Sequence, residues 1–202
     1  MPMRLAVCVS GRGSNLVALL EALTGSAEAE VVLVLSNKAD APALDRARER
    51  GIPAEAFENF RDAAEWLERL ARHQVDLVVL AGYLKLVPAG VISAYRGRIL
   101  NIHPALLPDF GGPGMYGHHV HEAVVRSGVP FSGATVHLVD EEYDRGEILG
   151  QARVPVLPGD TADTLAARVL GAEHRLLPAV VLAAAAAGRP VPLPAPLSFS
   201  SH

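Results

Sequence analysis

Leu5-Ala6-Val7-Cys8-Val9, then Ser10-Gly11-Arg12-Gly13-Ser14-Asn15, then the apolar-periodic stretch Leu16–Leu23: this opening decides the fold. A short apolar run that ends in a glycine turn reads as a strand, and the turn feeds directly into a helix. The same unit recurs downstream. Val31–Leu35 meets Ser36-Asn37-Lys38, and Asp40 is the expected N-cap of a helix with Pro42 near its first turn and Gly51 at its stop. Ala54–Phe57 reads as a short strand, and Arg61–Arg72 as a helix with an apolar stripe at Ala64, Leu67, Leu70 and Ala71. Val75–Leu80 is nearly all apolar, the pattern of a strand covered by helices on both faces. Pro88 suits a helix start, and Arg98–Ile102 is the next strand. Pro104–Gly117, rich in proline and glycine, reads as loop. Val120–Arg126 then reads as helix, Ala134–Val139 as strand, and Ile148–Val156 as a strand interrupted late by Pro155. Thr161–Ala187 is helical, with a kink or break expected at Pro178. Alternating strands and helices predict an α/β domain over residues 1–188, built on a mainly parallel sheet with helices on both faces. Residues 189–202, with prolines at 190, 192, 194 and 196, are expected to form an extended surface tail.

Composition narrows the class of function. The chain has 202 residues, half of them hydrophobic, with 18 Lys and Arg against 22 Asp and Glu, a net charge of −4. That balance argues against a nucleic-acid partner. Cys8, the single cysteine, excludes a disulfide framework and any multi-cysteine metal site. Arg4 is followed only by a short apolar run, so no signal peptide is expected. The Leu176–Ala187 run spans about twelve residues, short for a bilayer. A soluble cytoplasmic protein without membrane contact is the expectation.

Four sequence features could carry chemistry. Gly11-x-Gly13 lacks the third glycine of a dinucleotide fingerprint, since position 16 is Leu, and no acidic residue follows the second strand to hold a ribose. What remains is either a tight turn capped by Ser14 or a cradle for one phosphate, made of backbone N–H groups, a hydroxyl and an amide. In Asn101-Ile102-His103-Pro104, residues 101 and 103 share one face of a strand at its carboxyl end. An amide donor beside a titratable ring suits oxyanion stabilisation and proton transfer, and the pair could equally be satisfied by backbone carbonyls. His118, His119 and His121 invite a metal reading, but the spacing matches no helical zinc motif; the first two are expected on the loop and the last on the helix. Asp140–Gly146 is an acidic turn after a strand carrying Thr135 and His137. Within it Asp144 stands out as a carboxylate that could be held for work.

Taken in order, six blocks resemble the phosphoribosylglycinamide formyltransferase family of folate-dependent enzymes: Ser10–Asn15, Ser36-Asn37-Lys38, Ala81-Gly82-Tyr83, Asn101–Pro108, Ser132–His137 and Asp144-Arg145-Gly146. The likeness runs from Arg4 to about Gly188. It implies a single-domain, Rossmann-like formyltransferase fold and formyl transfer from 10-formyltetrahydrofolate to the amine of phosphoribosylglycinamide in purine biosynthesis. By the same resemblance Asn101, His103 and Asp144 are catalytic, with Asp144 favouring the imidazolium form of His103, and no metal is required. Gly13, Ser14, Asn15 and Glu173 would bind the ribonucleotide. Leu84, Lys85, Leu86 and Val87 would hold the folate, mostly through main-chain groups, together with Asn101. Arg61 would meet the folate's glutamate tail, or is simply an exposed Arg at a helix start. Tyr83 is packing or pocket. The implied partners are these two small molecules, in a monomer or homodimer.

Three departures stand out. Lys85 occupies a position where many relatives carry Arg, Ala105 replaces a common Ser, and the Phe110–Gly117 loop is longer than in the best-known bacterial enzymes. Within the same chemistry the alternatives are a 10-formyltetrahydrofolate deformylase and a methionyl-tRNA formyltransferase core. The first usually carries an extra N-terminal domain and the second a nucleic-acid-binding C-terminal one. Outside it stand a non-catalytic nucleotide-binding module and a His-cluster metal protein. A catalytically dead relative should have lost Asn101, His103 or Asp144, and none is lost.

Overall fold

The structure, a computed structural model, describes residues 1–142 and 144–198, with only the backbone of Ser198. Among the described residues there are eight strands, β1 (Met3–Val9), β2 (Ala29–Ser36), β3 (Ala54–Ala56), β4 (Leu77–Leu80), β5 (Ile99–His103), β6 (Phe131–Leu138), β7 (Ile148–Pro155) and β8 (Leu197–Ser198), and six helices, alternating except where β7 follows β6 directly. The helices are α1 (Ser14–Ala22), α2 (Pro42–Arg48), α3 (Ala63–Arg72), α4 (Ala89–Ala94), α5 (His118–Ser127) and α6 (Ala162–Ala187). The strands form one sheet in the order β3-β2-β1-β4-β5-β6-β7-β8. All neighbouring pairs are parallel except β5–β6 and β6–β7.

Period-two alternation along β1 sorts the core onto two faces. Leu5, Val7 and Val9 join one apolar cluster with residues of α1, α2, α5 and α6. Ala6 and Cys8 join a second cluster with residues of α3 and α4. The expected mainly parallel sheet with helices on both faces is therefore what the chain builds. Strand order reverses between β1 and β4, and the crevice at their carboxyl ends is where such sheets take ligands.

Several local expectations change. α2 has Ala41 as its N-cap, in extended conformation with Pro42 in the first turn, so Asp40 lies one residue too early. His118 and His119 open α5 rather than lie on the preceding loop. Pro155 ends β7 instead of interrupting it. Pro178 does not break α6, which runs unbroken for 26 residues. Proline removes one backbone bond, but Leu176, Leu177, Val180 and Val181 around it are fully buried and hold the helix on the sheet. At that length α6 is apolar enough to cross a membrane, against the expectation from the Leu176–Ala187 run, and half of its most apolar window is buried inside the fold. The proline-rich tail docks: the Leu193 N–H donates to the Leu149 carbonyl at 2.7 Å, and Leu197 pairs with Ala152 as an edge strand.

Candidate active site

The carboxyl ends of β1, β4 and β5 open on one rim. At the first, the Ser10 N–H donates to the Gly82 carbonyl at 3.1 Å, tying the turn after β1 to the turn after β4. The Ser10 hydroxyl donates to Asn37 Oδ1 at 2.5 Å and accepts the Leu84 N–H at 2.9 Å. Buried Ser10 thus knits three of the sequence blocks together. Gly13 caps α1 with φ of 75°, and a Cβ there would lie 2.5 Å from the Ala43 Cβ. Glycine is required at this position by both conformation and space. No side chain caps the helix, so Ser14 is the first helical residue rather than the cap. The opening N–H groups of α1 have no intrahelical acceptor and can meet an anion.

Asn15 turns inward. Its Nδ2 donates to Glu173 Oε2 at 2.7 Å, while its Oδ1 is buried without a partner. Burial pushes the Glu173 carboxyl up to about 7, only partly offset by the Asn15 hydrogen bond. The two residues assigned to the ribonucleotide from opposite ends of the chain therefore meet in one place.

Asn101 and His103 project from the same face of β5, and the register sets Asn101 opposite His137 and His103 opposite Thr135. Asp144, at φ of 53°, reaches in from the loop after β6. Its Oδ2 lies 3.7 Å from His103 Nδ1 and accepts the Gly112 N–H at 2.9 Å, and its Oδ1 lies 3.4 Å from His137 Nε2. Burial raises the Asp144 carboxyl, but its contact with His137, the Gly112 hydrogen bond and the electrostatics of the two neighbouring imidazoles outweigh it. The net direction is below the ordinary carboxylate range. His103 moves the other way from the expectation. Its ring is 4% exposed, and burial lowers its pKa by more than Asp144 and the Phe110 carbonyl raise it. A neutral ring is favoured over the expected imidazolium because desolvation of the cation exceeds its attraction to a carboxylate 3.7 Å away. The His103 Nε2–H donates to the Phe110 carbonyl at 2.8 Å.

The folate-assigned residues divide. Leu84 and Leu86 are exposed apolar side chains, whereas Val87 is buried in the core. The Leu84 N–H is already taken by Ser10, so that main-chain donor is not free. Arg61 and Lys85 each lie over the Phe60 ring, at 5.6 and 5.8 Å from its centre. Tyr83 is packing: it is buried and meets Trp66 edge-on at 5.6 Å. Tyr143 lies outside the described residues. His118 sits 3.7 Å from both Glu122 and Asp163, and His119 3.4 Å from Glu122. Among the described residues no group of three or more His, Cys, Asp or Glu side chains is arranged to hold a metal ion.

Sequence reasoning missed three supports. The Thr135 hydroxyl donates to the Ala105 carbonyl at 2.7 Å and accepts the Leu107 N–H at 3.0 Å, and Gln151 Nε2 donates to the Leu107 carbonyl at 2.9 Å. These bonds pin the segment that leaves β5 after His103. His137, which contacts both Asn101 and Asp144, is the third. Its signal was present as a titratable residue two positions from Thr135 on one strand face.

The sequence profile of the formyl transferase family matches residues 3–181. The chain is 49% identical over 185 residues to a chloroplastic phosphoribosylglycinamide formyltransferase of Vigna unguiculata, covering 88% of this chain and 59% of that protein. It is 41% identical over 190 residues to phosphoribosylglycinamide formyltransferase of Escherichia coli (strain K12), covering 89% and 85%. Among solved structures, a phosphoribosylglycinamide formyltransferase from Anaplasma phagocytophilum superposes with a TM-score of 0.85 at 39% identity, covering 93% of this chain and 89% of that one. One from Brucella melitensis gives a TM-score of 0.83 at 45% identity, covering 92% and 97%. The chain spans about three fifths of the length of the plant relatives it matches.

Proposed function

The chain belongs to the formyl transferase family, and from that premise we propose that it transfers the formyl group of 10-formyltetrahydrofolate to the amine of 5′-phosphoribosylglycinamide. The observation that carries this reading is the convergence of Asn101, His103 and Asp144 at one point of the rim that also bears the Gly13–Asn15 turn and the exposed Leu84 and Leu86. A phosphate on the opening N–H groups of α1, with the rest of the nucleotide running towards Glu173, would bring the glycinamide amine towards β5. Leu84 and Leu86 offer an apolar wall to the folate ring, and Arg61 and Lys85 are cations for its carboxylates.

The chemistry follows from the residue types. The amine attacks the formyl carbon, a C–N bond forms, and the carbonyl oxygen becomes an oxyanion. Asn101 Nδ2 supplies one donor to that oxygen. His103 supplies the second through its Nε2–H once that group leaves the Phe110 carbonyl. Removing one such donor typically costs about 10²–10³ in turnover. As the oxyanion collapses, the bond from the formyl carbon to the folate nitrogen breaks, and Asp144, anionic beside His103, relays the amine's proton to that departing nitrogen while His103 keeps its Nε2–H. The donors of the protein fill the electrophilic role.

The test is an assay of purified protein with both substrates, followed at the absorbance of the folate product. Turnover that needs phosphoribosylglycinamide is expected. Formate release without it would replace this reading with the deformylase.

A further inference from the structure

His137 is nearly buried, and all the polar atoms of its ring are engaged. Its Nδ1 lies 2.8 Å from the Leu138 carbonyl, and a carbonyl only accepts, so Nδ1 carries the proton. The neutral ring then has a bare lone pair on Nε2. That nitrogen lies 3.1 Å from Asn101 Nδ2, directly across the β5–β6 pair. A lone pair selects the amide nitrogen over the amide oxygen.

We propose that His137 is a positioning residue that fixes the Asn101 carboxamide with its nitrogen, not its oxygen, towards the reacting carbonyl. One N–H of Asn101 goes to His137, and the other is left for the developing oxyanion. With the amide turned over, Oδ1 would oppose that charge instead of stabilising it. The chain of dependence runs from the Leu138 carbonyl through the His137 tautomer to the Asn101 amide, and it rests on the function proposed above only in its last link. The competing arrangement puts a second proton on Nε2, shared with Asp144 Oδ1 at 3.4 Å. No lone pair would then face Asn101, and the amide would turn its oxygen towards His137. The charged or titratable groups around the ring are Asp144 and His103, the latter itself favoured as neutral.

A double-mutant cycle on the full chain tests the proposal. His137→Leu should lower kcat about ten- to a hundredfold with both KM values within threefold of the parent. In an Asn101→Ala background the same change should cost less than threefold, because the amide it orients is gone. His137→Gln, whose Oε1 can accept the same N–H, should recover most of kcat, and it serves as the readout if the leucine variant folds poorly. Ring ¹⁵N shifts of His137 in the parent protein should show a protonated Nδ1 and a bare Nε2. That measurement needs no turnover, so it decides the geometry even if the formyl-transfer assay fails. Additive losses in the cycle, a parent-like kcat in His137→Leu, or a protonated Nε2 at the assay pH would each overturn the proposal.

Discussion

Replacing Glu173 with Gln should make the protein more stable at alkaline pH, because the native carboxyl is buried with one neutral donor. The side chain sits at 7% exposure, and its hydrogen-bond partner is Asn15 Nδ2 at 2.7 Å. Charges on neighbouring elements act elsewhere: Glu21 of α1 on His174, His118 of α5 on Asp163, and Arg168 of α6 on Asp160. Burial raises the carboxyl from 4.5 to about 7. The folded state therefore binds this proton more tightly than the unfolded one. Stability is fully present below the unfolded value, falls as pH rises from there to about 7, and stays reduced above it. The interval corresponds to about 3 kcal/mol at pH 8.5, an upper figure that local relaxation would lower. Glutamine is isosteric, keeps an acceptor for Asn15 Nδ2, and offers an N–H to the unpartnered Asn15 Oδ1. The variant should gain up to about 3 kcal/mol at pH 8.5, or roughly 6–12 °C in Tm, and almost nothing near pH 4.5. Urea unfolding of parent and variant at both pH values measures the difference, in which other titrating groups cancel. Equal or lower stability of the variant at pH 8.5, or a gain that does not change with pH, would show that Glu173 is ionised at little cost and refute the reasoning.

Two further expectations concern the reaction. His103→Ala should lower kcat at least about 10²-fold with a smaller change in KM, and Asp144→Asn should lower it too while keeping the Gly112 contact. Steady-state kinetics decide this, and near-normal turnover of the alanine variant would remove His103 from the mechanism. Gly13→Val should raise KM for phosphoribosylglycinamide by orders of magnitude, since its Cβ would collide with Ala43 at a left-handed backbone position. Folate binding, measured by fluorescence titration, should be largely spared, and equal loss of both ligands would point to a folding defect instead.

The sheet was legible because parallel strands buried on both faces write themselves as apolar runs, as Leu5–Val9 and Val75–Leu80 do. Most residue blocks of the site were legible for a related reason: Ser10–Asn15, Ser36-Asn37-Lys38, Ala81-Gly82-Tyr83 and Asn101–Pro108 each lie at a strand's carboxyl end, where loops carry function. Errors came where tertiary packing overrode local rules. Pro178 lies inside an intact helix because its neighbours are buried. The proline-rich tail keeps its expected extended, surface character, and Leu197 adds that β7 offers it an edge to pair with. His137 stood in the Ser132–His137 block without a role, because strand-face spacing alone does not say what a histidine meets. Its meaning depends on what the antiparallel register sets opposite it.

The protonation state of the site was the least legible part, and it bears on how the reaction starts. From residue types alone, a histidine beside an aspartate reads as an ion pair. In the folded chain the ring is shut away from water, and its Nε2–H is spent on the Phe110 carbonyl. A donor engaged in this way cannot serve an oxyanion until the bond to Phe110 is exchanged. Phe110 opens the glycine-rich segment that ends at Gly117, the cap of α5. Gly112 in that segment also holds Asp144, so one loop restrains both His103 and Asp144. On the proposed function, the formyl oxygen takes the place of the Phe110 carbonyl as acceptor, a better one once charge develops. The restraint on Asp144 can persist through Gly112 while His103 changes partner. On the proposed mechanism this loop holds a neutral His103 beside an anionic Asp144, and the His103 donor turns to the oxyanion only as the tetrahedral intermediate forms.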